Sequence, residues 1–246
     1  MVGIIGSNGF VGSSVLRAIK SEDPLIIDRS NIDLCSSYDY STLFICAGEA
    51  RKWFVNVNVK EATENMVDLY NSIRRYRAKQ VVYFSSIDVY NKEFTPNDGY
   101  SKEPYGVTKL VLEKLIANIF ENCVIVRLGA LFGKGLKKNF LFDLLNERYD
   151  WIEKQSPLSG FQYFNMENIR LVLDCAEQLH GQHIVDAFSE VVYNRDIMDY
   201  LRLNYSMEGE SHFVYNIPRI EEHIIIRPSK KDILLQIKDW YNENSI

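Results

Sequence analysis

Three glycines spaced three apart, Gly6, Gly9 and Gly12, constrain this chain more than any other feature. They fall between a short apolar run, Val2–Ile5, and a helix-like stretch from Phe10 to Lys20; after a breaker at Pro24 comes a second apolar run, Leu25–Asp28. Runs of that length and order read as strand, turn, helix and strand, the opening of a βαβ unit. In such a unit the loop's backbone N–H groups and the positive end of the helix can hold a pyrophosphate, an approach that side chains would obstruct. Gly6, Ser7, Asn8, Gly9, Phe10, Val11 and Gly12 are therefore candidates for binding a dinucleotide. A glycine-rich turn also serves simply to let strand and helix pack closely, so a second observation is needed. Asp28 supplies it, 16 residues past Gly12 at the end of the second strand, where a carboxylate can accept hydrogen bonds from ribose hydroxyls. Arg29 follows directly. The acid disfavours a ribose 2′-phosphate and the guanidinium favours one, so the pair admits NAD or NADP, with NAD preferred.

The alternation continues. Thr42–Ala47 and Gln80–Ser85 are apolar runs of strand length, and between them Ala62, Met66, Leu69, Ile73 and Tyr76 recur at spacings of 4, 3, 4 and 3, the mark of an amphipathic helix. A further helix is expected from Tyr105 to Phe120, leading into the strand Cys123–Arg127. Strands and helices in this order imply an α/β fold with a doubly wound parallel sheet and right-handed crossovers. From Asp28 to Thr42 there are too few residues for a helix and another strand, which predicts an abbreviated connection around Ser30–Tyr40. Beyond Gly133 the pattern loosens into helices near Asn139–Leu145, Asn168–Leu179 and Ser229–Tyr241, with a short strand at His212–Tyr215. We expect one domain over residues 1–246, with a core of about 1–133 and a small, reduced substrate lobe over about 134–246.

Composition excludes several partners. A formal charge of −5 with no basic tract lacks the electrostatic footprint of nucleic-acid binding. No stretch approaches the roughly 18 apolar residues of a membrane span, and Met1–Ile5 is too short for a signal peptide's apolar region. Cys35, Cys46, Cys123 and Cys175 lie far apart in mostly apolar surroundings and read as core thiols of a cytoplasmic protein. His180, His183, His212 and His223 form no metal-ligand pattern, so no metal is expected.

Two motifs extend the reading from binding to chemistry. Ser85-Ser86-Ile87-Asp88-Val89-Tyr90 ends a strand, and Tyr105-Gly106-Val107-Thr108-Lys109 begins a helix, so Tyr105 and Lys109 share a face at i and i+4. A tyrosine proton leaves near pH 10, about the model-peptide value, but a neighbouring ammonium favours the phenolate and suits the group to acid–base work. Lys109 supplies that charge, and the Ser86 hydroxyl would donate to a substrate oxygen on which negative charge develops.

The glycine loop, the S-S-x-D-V-Y run and Y-x-x-x-K together resemble the extended short-chain dehydrogenase/reductases, the NAD(P)-dependent epimerase/dehydratase family, over most of the chain. The resemblance implies a Rossmann-like fold and a catalytic Ser86, Tyr105 and Lys109, the last two also touching the nicotinamide ribose. It implies cofactor contacts at Ala47 and Gly48, and at Asp33 and Leu34 beyond Arg29. The usual R-x-x-N-x-x-G strand reads Arg127-Leu-Gly-Ala130-Leu-Phe-Gly133 here, so the substrate-binding amide is replaced by alanine. Gly133-Lys-Gly135 followed by Asn139-Phe140 instead resembles nucleotide-sugar keto-reductases such as dehydrorhamnose reductase.

That resemblance implies a small-molecule substrate, a sugar nucleotide, reduced at a keto carbon. The alternatives are a 4-epimerase with tightly bound NAD, and a non-catalytic dinucleotide sensor that keeps the fold. Asp88 sits where related dehydratases place an acid, but Ile87 stands in for its partner, and Asp88 serves equally as a cap at the strand end. Substrate contacts are expected from Asp88, Asn139, Phe140 and Tyr163, with Arg51, Lys52, Lys134, Lys137 and Lys138 as cations near a diphosphate or simply solvated. Homodimers would pair through the helices Asn58–Arg77 and Tyr105–Phe120, as the family often does.

Overall fold

The computed structural model, which describes residues 1–95 and 98–245, has an α/β, Rossmann-like architecture. Its first half runs β1 (Val2–Ile5), α1 (Phe10–Ala18), β2 (Leu25–Ile27), α2 (Ile32–Cys35), β3 (Asp39–Ile45), α3 (Lys52–Val57), α4 (Val59–Ile73) and β4 (Arg77–Ser86). A hairpin comes next, β5 (Tyr90–Thr95) and β6 (Asp98–Tyr100), then α5 (Pro104–Ile119), β7 (Cys123–Leu128) and β8 (Ala130–Phe132). The remainder is α6 (Phe140–Leu145), α7 (Tyr149–Ile152), β9 (Gly160–Asn165), α8 (Ile169–Glu177), β10 (Gln182–Ala187), β11 (Val191–Tyr193), α9 (Asn194–Leu201), β12 (Ile224–Ile226) and α10 (Lys230–Asn244).

Strands β2, β1, β3, β4, β7, β10 and β12 lie side by side in that order, every pair parallel. Parallel sheets need cover on both faces, and β7 is buried at each of its positions. Val15 of α1 and Val172 and Leu173 of α8 pack on one face against Phe44, Val82 and Val124. On the other, Leu112 and Ile116 of α5 and Ile73 of α4 meet Leu43, Tyr83 and Ile125.

The expected short connection is the single turn α2, with no strand between β2 and β3. The sheet therefore ends at β2, and the chain crosses back past β1 to form β3 on its other side. Where strand order reverses, the loops after β1 and β3 part and leave a crevice, the usual binding place in open α/β sheets.

The division at residue 133 needs correction. Strands β10 and β12 belong to the main sheet, and α8 packs beside α1. β7 is buried on both faces, and β10 covers its outer edge along six residue pairs. The separate lobe is smaller than expected: α6, α7, α9, α10 and the sheet β11-β9-β8 gather around Phe132, Leu141, Ile197 and Trp240. His212–Tyr215 is not a strand. Val214 makes one isolated bridge to Gly160, and the surrounding segment runs over the lobe as an irregular strap. The four cysteines are free thiols. Among the described residues no helix is long and apolar enough to cross a membrane, and no cluster of three or more His, Cys, Asp or Glu could hold a metal.

Candidate active site

The site forms where β4 ends against the start of α5. Ser86 closes β4, and its Oγ accepts the Asp88 backbone N–H at 3.1 Å, capping a tight turn over Ile87–Val89. Pro104 opens α5, where a missing N–H costs nothing. Tyr105 comes next, its backbone N–H donating to Asn56 Oδ1 of α3 at 3.0 Å. Gly106 lets helix and turn meet, since a Cβ there would stand 2.1 Å from the Asp88 carbonyl oxygen. Two turns on, Glu113 receives Arg127 of β7 at 3.1 and 2.6 Å, an ion pair buried to 1% exposure on each side that fastens α5 to the sheet.

Tyr105 and Lys109 are buried, 7% and 9% exposed, with Lys109 Nζ 5.6 Å from the centre of the tyrosine ring. The expectation that the ammonium lowers the phenol's pKa is not met. Burial raises Tyr105 above its ordinary value, the carboxylates of Asp88 and Glu49 add to the rise, and a hydrogen bond with Ser86 opposes it. Burial likewise pushes Lys109 down to about 8, against the attraction of Glu113, Glu49 and Asp88. Desolvation thus dominates both groups, and the tyrosine keeps its proton at neutral pH. Glu49 is held down at about 2, first by its hydrogen bond from Arg51.

The glycine loop lies at the crevice. Gly6 has a φ of +83°, and a Cβ on it would come within 3.0 Å of Cys46 O, so this residue sits where the loops after β1 and β3 part. A Cβ on Gly12 would lie 2.1 Å from Gly6 O, and its absence seats α1 directly behind the loop. The N-terminus of α1 has no side-chain cap and no acid in its first turn. Free N–H groups at the positive end of a nine-residue helix suit a dinucleotide's diphosphate. Ser7 is buried, Asn8 and Gly9 are exposed, and Phe10 and Val11 pack towards the core behind them.

Asp28 and Arg29 are exposed at the end of β2, and Asp28 Oδ1 accepts from Ser30 N and Ser30 Oγ at 2.8 and 2.5 Å, which lowers its pKa. Gly48, after β3, has a φ of +120°, and a Cβ on it would approach Lys109 Nζ to 3.3 Å. This glycine joins the cradle to the reactive pair, with Ala47 beside it. Asp33 pairs instead with Arg75 of the segment after α4, and Leu34 is 74% exposed on α2. Neither is drawn into the loop's immediate surroundings.

Beyond Ser86 two adjoining cavities of 380 and 330 Å³ share Lys52, Asp88, Lys92 and Tyr215. Asp88 is the hub. Its Oδ2 accepts from Ser86 Oγ at 3.1 Å, and its Oδ1 accepts from Lys52 Nζ at 2.6 Å and from the Tyr215 hydroxyl. Lys52 also reaches Glu103 at 3.1 Å, and Lys92 reaches the other oxygen of Glu103 at 2.7 Å. Burial opposes the Lys52 charge, yet Asp88 and Glu103 hold its pKa above the ordinary value.

Three expected substrate contacts stand elsewhere. Asn139 caps α6, accepting the Phe142 N–H at 3.1 Å and donating to Leu131 O, while Phe140 is in the lobe core. Tyr163 is also buried in that core, because β9 is the middle strand of its sheet, and its neighbours Phe161 and Gln162 line the cleft instead. Lys134, Lys137 and Lys138 are exposed. Reasoning from sequence missed Tyr215, Glu103, Glu49 and Asn56. Gly106, inside the Y-G-x-x-K run, was a further signal of close approach that went unread.

Residues 2–150 match the family model described as Epimerase, NAD dependent epimerase/dehydratase family. No curated protein sequence matches the chain. A UDP-N-acetylglucosamine 4-epimerase from Methanobrevibacter ruminantium M1 superposes with a TM-score of 0.73 at 15% identity, over 98% of this chain and 96% of that one. A dTDP-4-dehydrorhamnose reductase from Bacillus anthracis str. Ames, in complex with NADP, gives 0.73 at 14% identity, over 98% of each chain. A UDP-glucose 4-epimerase from Thermotoga maritima gives 0.72 at 13%, over 98% and 97%. At such identities the likeness is one of fold.

Proposed function

Because this chain belongs to the NAD-dependent epimerase/dehydratase family, we propose that it is an NAD(P)-dependent oxidoreductase reducing a keto carbon on a nucleotide-linked sugar. The observation that carries the reading is the buried Tyr105 beside Ser86 and Lys109 at the edge of the glycine-loop crevice. When bound, the dinucleotide supplies the hydride. Tyr105 gives its proton to the substrate oxygen, and Ser86 donates a hydrogen bond to that oxygen as charge builds on it. Lys109, pressed against Gly48, is placed to hold the nicotinamide ribose. The free N–H groups of α1 take the diphosphate, and Asp28 takes the adenosine ribose, which favours NAD over NADP.

The experiment is isothermal titration of the purified protein with NADH, NADPH and UDP-, GDP- and dTDP-linked sugars, followed by turnover assays on whatever binds. Tyr105→Phe should lower the rate by about 10² to 10⁴ with dinucleotide affinity nearly unchanged. An undiminished rate in that variant removes Tyr105 as the proton donor.

The second enzymatic reading, a 4-epimerase, draws support from the fold shared with two such enzymes. It requires NAD that survives purification and no net NADH. A sensor without catalysis is disfavoured by the retention of both Tyr105 and Lys109. Val67 on α4 and Val107 and Val111 on α5 are exposed apolar residues on the helices expected to pair, which supports a homodimer. The four free thiols support a cytoplasmic location.

A further inference from the structure

Every cation that lines the cleft beyond Ser86 is matched by a carboxylate. Lys52 Nζ lies 2.6 Å from Asp88 and 3.1 Å from Glu103, Lys92 lies 2.7 Å from Glu103, and Lys102, at the rim, lies 2.8 Å from Asp98. The floor is therefore a lattice of two ammonium groups and two carboxylates with no charge left over among the described side chains. Its wall is aromatic: Phe161, Phe213 and Tyr215 pack on one another at ring-centre distances of 5.3 to 6.3 Å.

We propose that the Lys52–Asp88–Glu103–Lys92 lattice selects an uncharged glycosyl group, a hexose or deoxyhexose, and rejects a uronate. This rests on the reading that the cleft receives the sugar of a sugar nucleotide. A neutral sugar offers hydroxyls, which donate and accept, and a lattice of paired charges presents both complements; its C–H face suits an aromatic wall. A uronate carboxylate entering the same space would shed its water without gaining an unpaired cation, and would face the two acids already there. Specificity then comes from repulsion as much as from contact.

Glu103 is the part that can be changed without dismantling the site. It precedes α5 as N-cap through its backbone, with no side-chain capping bond, and its side chain is partly exposed. The test measures, by isothermal titration, UDP-glucose against UDP-glucuronate and the dTDP-linked pair, on wild type and Glu103→Gln, each saturated with NADH. Wild type should bind the neutral member at least about tenfold more tightly. Glu103→Gln releases Lys92 from its carboxylate partner and should tighten the uronate by about fivefold or more, narrowing the preference for the neutral sugar. A wild type that binds uronate as well as glucose, or a Glu103→Gln protein with unchanged uronate affinity, overturns the proposal. NADH binding with no sugar nucleotide bound in either series overturns it too and leaves the dinucleotide reading standing. Failure to bind NADH or NADPH would instead remove the function on which it rests.

Discussion

Replacing Gly106 by alanine sets two effects of opposite sign against each other. In a helix interior alanine is favoured over glycine by about 1 kcal/mol, an upper bound in the first turn where Gly106 lies, so propensity alone predicts a more stable protein. The added Cβ would stand 2.1 Å from Asp88 O, 2.5 Å from Ser101 Cβ and 2.6 Å from Ser101 Oγ. Non-bonded heavy atoms pack at about 3.5 to 4 Å, so the first turn of α5 must retreat by about 1 Å or more. Ser101 Oγ can rotate away. Asp88 O cannot, because it is backbone in a turn whose next-door N–H is bonded to Ser86. Overpacking of this kind costs about 1 to 3 kcal/mol, so after the propensity gain the net loss is up to about 2 kcal/mol, which for a chain of this size lowers Tm by up to about 8 °C. The retreat carries Tyr105 with it, and a misplacement of about 1 Å at a reacting group costs roughly 10²-fold in rate. The assay is kcat on the best sugar-nucleotide substrate beside thermal unfolding and NADH titration of the same preparation. NADH affinity should fall far less than kcat, since the glycine loop is on other elements and only the ribose contacts of Tyr105 and Lys109 ride on α5. A Gly106→Ala protein with equal or higher Tm and a kcat within twofold would refute the claim that this contact sets the tyrosine.

Other predictions address the charges around the site. Lys109, pushed by burial to about 8 from 10.5, binds a proton in the unfolded chain but not in the folded one between those values. Stability attributable to it therefore rises with pH across that window, by up to about 3 kcal/mol, and urea midpoints of wild type against Lys109→Met should diverge there in wild type's favour; parallel curves count against the shift. Glu113→Ala leaves Arg127 buried without its carboxylate and should cost about 3 to 5 kcal/mol in urea unfolding, a loss much reduced in the double variant with Arg127→Met. Asp28→Ala should weaken NADH by about tenfold and NADPH by less, and equal losses for both would detach Asp28 from the ribose. Val67→Glu combined with Val111→Glu should yield a monomer by light scattering if those helices pair.

Much of the site was legible because its signals are local. The loop from Gly6 to Gly12, Asp28 at a strand end, and Tyr105 and Lys109 one turn apart each depend on neighbours within a few residues, and the structure puts them where strand, loop and helix periodicity require. The missing strand before β3 was readable from chain length alone. Tyr215 was not legible: it reaches Lys52 across 163 residues and Asp88 across 127, from a strap with no regular secondary structure. Asn139 was misread for a related reason. The residue comes after a glycine-rich loop, as a ligand contact would, but a side chain that bonds a nearby N–H and a carbonyl serves equally as a helix cap. The lobe boundary failed because Gln182–Ala187 is too short to separate from a buried helix segment by pattern, and only the exposed edge of β7 demands it.

The tyrosine is where sequence reasoning went most instructively wrong, and the error bears on direction. Spacing places an ammonium near Tyr105 but carries no information on how dry their surroundings are. In the folded chain the dryness dominates: the phenol rises, the ammonium falls to about 8, and the carboxylates of Asp88 and Glu49 push the phenol further in the same direction. A phenol held protonated is ready to give a proton to an alkoxide forming from a ketone. To oxidise an alcohol it must first be ionised against burial and two carboxylates, with Ser86's hydrogen bond the only protein group acting the other way among those that shift it. In either direction the neutral phenol is the form these side chains favour, and Asp88 and Glu49 are the carboxylates whose removal should lower its pKa.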